Sequence, residues 1–351
     1  MTATFRINDL FSNYLRHNEV NEYMEYLAAS YPKFVTVTEC GQSYEGRTLK
    51  CIKISYNHIS DDEIPPCHRP VKSAKFKSAN AKYKCKRNGG NTRSAHAKIK
   101  LKAKEEVKSV VLIDGGIHGR EWISVATTVY CINQLIENFR RNTHLLRKLD
   151  FLIVPIVNVD GYEYSHTNFA FWRKTRKPIT DTKYIGTDCN RNFDHHWKSA
   201  CSRPSKHTYR GEAPFSEPET EMLKTIMHSI KANCKFYLSL HSYAKAFMYP
   251  FGYTRKPPDN WRELHKLAKI GQIAIKEKTG SIYRCGTVAF INQHVAAGGS
   301  PDYAYGTLKI PYTMVMELAG GCFHPPATEI LRIVRESWFG IRAMCCYIAD
   351  L

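Results

Sequence analysis

No apolar run in this 351-residue chain approaches the length of a membrane span. The longest, residues 110–114 and 151–159, fall far short of the roughly 20 apolar residues that a spanning helix needs. No membrane span is therefore expected. The first twenty residues, MTATFRINDLFSNYLRHNEV, lack the continuous apolar core and small-residue cleavage site of a secretory leader. On that ground alone the chain reads as cytoplasmic, or as one whose upstream residues are not included. There is no Cys-x-x-Cys pair among the twelve cysteines, and their spacing gives no compact disulfide framework. Cys131, Cys234, Cys345 and Cys346 sit in apolar or helical surroundings and are expected as buried free thiols. Internal repeats are absent too. Acidic residues are scarce, with 32 Asp and Glu against 51 Lys and Arg, for a net charge of +19. That excess is local: residues 69–108 hold fourteen Lys or Arg and only two Glu.

What is present is enough for a sizeable core, since 43% of the chain is hydrophobic. Residues 20–31 carry apolar side chains at helical spacing, and Pro32 closes them. Residues 34–38 and 49–56 alternate like strands around the turn-rich segment 41–46. From about 58 to 107 the composition shifts to Lys, Ala, Ser and Asn, with few large apolar residues to bury, and a disordered insert is expected there. The VVLID run at 110–114 then reads as a strand covered on both faces. A helix is expected over 121–140, a second buried strand over 151–159, and a long irregular stretch to about Pro214. Ser216 and Glu219 have the spacing of a capping box for a helix reaching about Asn233. A third buried strand follows at 235–240, a helix at 261–279, strands near 281–289 and 312–318, and a terminal helix at 326–349. Strands alternating with helices in this way predict a single α/β domain with a mixed, largely parallel, twisted sheet covered by helices on both faces.

Residues that carry chemistry tend to gather at the C-terminal ends of strands in such sheets. His118 lies just past the first buried strand, His241 ends the third, and Glu317 lies on the late strand. His118 and Glu121 form a His-x-x-Glu pair, a spacing that can bring an imidazole and a carboxylate to one point. Two His and one Glu are an established ligand set for catalytic zinc, leaving a fourth position open. Taken alone, the pair reads more readily as two polar residues on a surface turn, and His241 as a satisfied histidine at a strand end.

The surrounding residues narrow the choice. Gly116-Ile117-His118-Gly119-Arg120-Glu121-Trp122-Ile123 resembles the first zinc motif of the pancreatic-type metallocarboxypeptidases, the A and B enzymes. Leu240-His241-Ser242-Tyr243 resembles their second. Phe171-Trp172-Arg173-Lys174-Thr175-Arg176, Asp188-Cys189-Asn190-Arg191-Asn192, Ser43-Tyr44-Glu45-Gly46-Arg47, Ala297-Gly298-Gly299-Ser300 and Met316-Glu317-Leu318 follow the family's order. The likeness covers nearly the whole chain outside residues 58–107.

The resemblance implies one zinc ion per chain, held by His118, Glu121 and His241, and hydrolysis of the C-terminal peptide bond. It implies Glu317 as general base and Arg173 as the stabiliser of the oxyanion. Asn190 and Arg191 would grip the substrate's free carboxylate, for which the planar guanidinium fork is suited. Asp188 would accept from the second ring nitrogen of a ligand histidine, His118 by preference. Arg120 and Tyr243 would be secondary substrate contacts. It further implies a secreted monomer that acts on peptide or protein C-termini.

Two positions depart from the family pattern. The substrate-capping tyrosine falls at His294, and the residue that sets side-chain preference falls at Pro301. With Met248, Gly252, Ala289, Ala296 and Val315 as the other inferred pocket positions, no free acid is in view, although Asp302 is adjacent. A preference for apolar or aromatic C-terminal residues follows. The family's usual disulfide has no match either: Cys189 and Cys201 are near its place but not in it. A contrasting reading is a binding protein on the same fold, non-catalytic or weakened, with the basic insert attracting an anionic polymer.

Overall fold

Eight strands form one sheet in the computed structural model, which describes residues 10–56 and 108–351. The expected Lys-rich insert lies outside the described residues. β1 (Val35–Gln42) and β2 (Thr48–Ile54) pair antiparallel around the turn at 43–47, with Val35 opposite Ile54. β3 (Ser109–Asp114), β4 (Leu149–Val154), β5 (Cys234–Ser242) and β8 (Tyr312–Leu318) form a parallel centre. β6 (Ala246–Tyr249) pairs antiparallel with β8, and β7 (Arg284–Thr287) lies outside it, giving the order β1-β2-β4-β3-β5-β8-β6-β7. Residues 110–114 of β3 are all buried, as a strand covered on both faces must be. β6 escapes sequence reading because its four residues are all buried and show no alternation.

Helices flank this sheet: α1 (His17–Ser30), α2 (Trp122–Ile136), α3 (Phe139–Lys148), α4 (Val159–Thr167), α5 (Pro218–Ile230), α6 (Trp261–Thr279) and α7 (Ala327–Ala349). α2, α6 and α7 pack together over the sheet, while α1 and α5 lie against β1. Every residue of α2 from 123 to 136 is buried, so its sequence shows no polar face. None of the described helices is long and apolar enough to cross a membrane.

Four local expectations need correcting. The helix expected over 121–140 is two helices, because the buried face of α3 (Phe139, Leu145, Leu146) belongs to a new axis. Asn142 ties the two together by donating to the Gln134 carbonyl. The strand expected over 151–159 stops at Val154, before Pro155, which has no N–H to give the ladder. Asn158 then caps α4 by accepting from Gly161 N at 2.9 Å, in a stretch expected to be irregular. Finally, Ser216 and Glu219 make no capping box. Glu217 is the N-cap, Pro218 sets the first turn, and Glu219 is buried with neither carboxylate oxygen hydrogen-bonded. Burial pushes its carboxyl up to about 8.

The sheet register places the site. Asp114 lies opposite Ser239, and His241 opposite Glu317, so β3, β5 and β8 end side by side. The loop after β3 is pressed onto the start of α4. A Cβ on Gly119 would lie 2.3 Å from the Gly161 carbonyl oxygen and 3.0 Å from that of Trp172. Gly119→Ala must therefore push His118 outward. We expect it to cost about 2–3 kcal/mol in urea unfolding; wild-type stability would show that the loop has room to move.

Candidate active site

His118 and Glu121 follow β3, while His241 is near the end of β5, yet their side chains meet. His118 Nδ1 is 2.7 Å from Glu121 Oε1, and His241 Nδ1 is 3.0 Å from Glu121 Oε2. One ligand atom from each residue lies within 4.8 Å of the others, and all three residues are buried. The outer ring nitrogens are engaged elsewhere. His118 Nε2 is 3.1 Å from Asp188 Oδ1, and His241 Nε2 is 3.2 Å from Ser239 Oγ. Each imidazole thus has Nδ1 turned to the centre and Nε2 turned to a polar partner, the orientation that a metal-ligating histidine needs. Two nitrogens and a carboxylate oxygen on one point are a donor set that zinc accepts.

Opposing charge keeps two of the buried carboxylates, Glu121 and Asp188, ionised in a dry setting. Burial alone would raise Glu121, but His118 and His241 hold it well below the usual carboxylate range. Asp188 is fully buried, and Arg173 and His118 hold it low in the same way. Burial and the Arg173 charge lower His118. For His241 burial acts downward too, but the Glu121 carboxylate raises it on balance. Burial together with the Glu121 charge pushes Glu317 up to about 7, although His241 and Arg173 pull the other way.

Arg173 reaches the centre from the loop after α4. Its Nη2 is 2.9 Å from Asp188 Oδ2, and its Nη1 is 3.7 Å from Glu121 Oε1. Asn190 and Arg191 lie in a single helical turn, which Asp188 caps by accepting from Asn190 N at 3.0 Å. Asn190 Oδ1 accepts from Ser300 N at 2.9 Å. Gly298 lets the two loops touch, since a Cβ there would meet the Arg191 carbonyl oxygen at 2.3 Å.

These groups line a cleft of about 450 Å³ with His294, Pro301, Tyr243 and Glu317. Met248, Gly252, Ala296 and Val315 line it too, whereas Ala289 does not; its neighbour Val288 does. His294 is exposed, with Nδ1 2.9 Å from the Asn292 carbonyl oxygen. Arg120 lines an adjoining cavity instead, its guanidinium 4.0 Å from the centre of the Phe323 ring. Asp302 is buried and accepts from Gly252 N and Tyr253 N, each at 2.9 Å. Burial pushes its carboxyl up to about 6.

Sequence reasoning missed His207, Thr208, Asn292 and Phe323, all of which line the cleft. They sit in segments without periodicity or recognisable spacing, so no signal marked them. Cys189 is buried and Cys201 partly exposed, and neither is bonded to another cysteine.

A family model described as zinc carboxypeptidase matches residues 20–340. Carboxypeptidase B of Astacus astacus is 30% identical over 346 residues, covering 97% of this chain and 98% of that protein. Carboxypeptidase A2 of Rattus norvegicus is 29% identical over 350 residues, covering 97% of this chain and 71% of that one. A solved structure of bovine thrombin-activatable fibrinolysis inhibitor, in complex with a tick carboxypeptidase inhibitor, superposes with a TM-score of 0.78 at 26% identity. That alignment covers 97% of this chain and 99% of the other.

Glu317 stands beside His241 in the sheet and holds a proton up to about pH 7. A dication in the cluster must lower that affinity, so metal binding near pH 6.5 drives a proton off. In weak buffer with an indicator dye, zinc should release about half a proton more from the native protein than from Glu317→Gln. Equal release would mean that Glu317 is already ionised.

Proposed function

This chain belongs to the zinc carboxypeptidase family, and from that premise we propose that it is an active metallocarboxypeptidase that hydrolyses the last peptide bond of its substrates. The observation that carries this reading is the convergence of His118, Glu121 and His241 within 4.8 Å, with Glu317 one strand away. When bound, zinc supplies Lewis acidity, polarising a carbonyl and bringing the proton loss of water close to neutral pH.

The side chains do the rest. Glu317 is the general base: its carboxylate takes a proton from the attacking water and then delivers it to the departing amine. Arg173 offers a fixed guanidinium to the charge that develops on the carbonyl oxygen, and its pairing with Asp188 keeps it aimed. Asn190 and Arg191 hold the terminal carboxylate, which an internal peptide bond lacks, so cleavage is confined to chain ends. His118 is kept in register by Asp188. Arg120 and Tyr243 steady the chain further back.

The pocket for the departing side chain is apolar, built from Met248, Ala296, Pro301 and Val315. Asp302 lines the same cleft, but its oxygens are committed to the amides of Gly252 and Tyr253. A basic side chain finds no free acid there, which supports a preference for apolar or aromatic C-terminal residues. No comparable observation favours a non-catalytic protein, because every side chain that the reaction requires is present.

The test is amino-acid release from peptides that differ only in the last residue. We expect kcat/KM to be about tenfold or more higher for Phe than for Arg, and a chelator to abolish both. Glu317→Gln should cut kcat by at least about 100-fold with zinc still bound. Full activity in that variant would remove the assigned base. A second substitution addresses the departure at 294. The exposed His294 is shorter than the tyrosine of the family pattern, so His294→Tyr should lower KM about threefold with kcat nearly unchanged. A large rise in kcat alone would place the residue in the chemical step instead.

A further inference from the structure

Beside the catalytic cleft lies a second cavity of about 450 Å³. Arg120, Arg173, Lys174, Arg176, Lys183 and His207 line it, and no Asp or Glu does. Two of these, Arg173 and His207, line the cleft as well, so the cavities share a wall. Phe169, Phe171 and Tyr184 line it with 53%, 53% and 40% of their surface exposed.

Several of the cations are held in place before any ligand arrives. The Arg176 guanidinium lies 3.6 Å from the centre of the Tyr164 ring and 4.6 Å from that of Trp172. Lys174 donates to the Pro204 carbonyl oxygen at 3.2 Å. Arg120 is stacked on Phe323, and its buried Nε has no hydrogen-bond partner. Compensation is partial: Asp188 balances Arg173, and Glu45 approaches Arg176 at 3.6 Å. Fixed positive charge over aromatic walls, with little acid to neutralise it, is a receptor for carboxylates attached to a chain with apolar parts.

We propose that this cavity binds acidic side chains of the substrate a few residues before its C-terminus, so that the enzyme selects peptides with acidic tails. The assignment rests on the exopeptidase reading above, because it is the held C-terminus that brings those residues past Arg173. Extended chain advances about 3.3 Å per residue, and a short run of acids before the end suffices to reach the neighbouring cavity. The aromatic rim adds contact for the methylene groups of Glu and for apolar neighbours.

The experiment uses zinc-loaded Glu317→Gln protein, which holds substrate without turning it over. Fluorescein-labelled peptides with one common C-terminal residue carry either Glu or Lys at the second to sixth positions from the end. Binding is read by fluorescence polarisation at low and high salt. The acidic peptide should bind about tenfold more tightly at low salt, with the gap shrinking as salt rises. Lys183→Glu, at an exposed position, should narrow that gap severalfold. Equal binding of the two peptides, or a gap indifferent to Lys183, overturns the assignment. So does tight binding of a sulfated oligosaccharide without any gain for the acidic peptide. If the acidic peptide is preferred but native protein cleaves neither, hydrolysis fails, whereas the grip on the C-terminus and the cavity assignment that depends on it stand.

Discussion

One buried carboxylate holds the functional half of this molecule together. Glu121 is 3% exposed, and its two oxygens face His118 and His241, while Ser242 N donates to Oε2 at 3.2 Å. A lone carboxylate in such a place would be costly, and only matched partners make it tolerable. The partners come from two strands whose loops must stop at the right residues. Behind each imidazole stands another acid. Asp188 braces His118 directly; Asp114 braces His241 through Ser239, whose hydroxyl donates to Asp114 Oδ1 at 2.8 Å. Tyr237 donates to the same Asp114 and contacts Ser300 Oγ at 2.9 Å, and Ser300 N in turn donates to Asn190. The floor of the sheet, the two imidazoles and the turn that carries Asn190 thus belong to one hydrogen-bonded unit.

That unit was only partly visible in the sequence. The strands at 110–114 and 235–240 announced themselves as apolar runs, and the chemistry sat where such strands end. Spacing alone could join His118 to Glu121, because they are three positions apart. It could not bring in His241, which is 120 residues on; that step rested on the likeness of whole motifs. Asp114 and Ser239 were hidden because a polar residue inside a buried strand reads as a flaw in the pattern rather than as a brace.

The remaining surprises have local physical causes. α2 is buried on all sides, so its end could not be read from a polar face, and the break before α3 went unnoticed. Pro155 was folded into an apolar run, although its missing N–H ends β4. Ser216 and Glu219 had the spacing of a cap, but Pro218 and the burial of Glu219 decided the geometry instead. His207 had no pattern to betray it. It is set beside Arg173 by a loop tied down where Lys174 donates to the Pro204 carbonyl and Asp188 N to the Tyr209 carbonyl.

Asp302 shows how shape and charge can be bound up in a single side chain. Its carboxylate is a staple for the backbone at Gly252 and Tyr253, so it cannot be recruited as a counter-ion without loosening the wall it secures. A lineage of this family could therefore acquire a pocket for lysine or arginine ends only by altering a neighbour such as position 301, which lines the same cleft. The pocket can be repainted there while its frame is kept, and selectivity is free to drift faster than architecture.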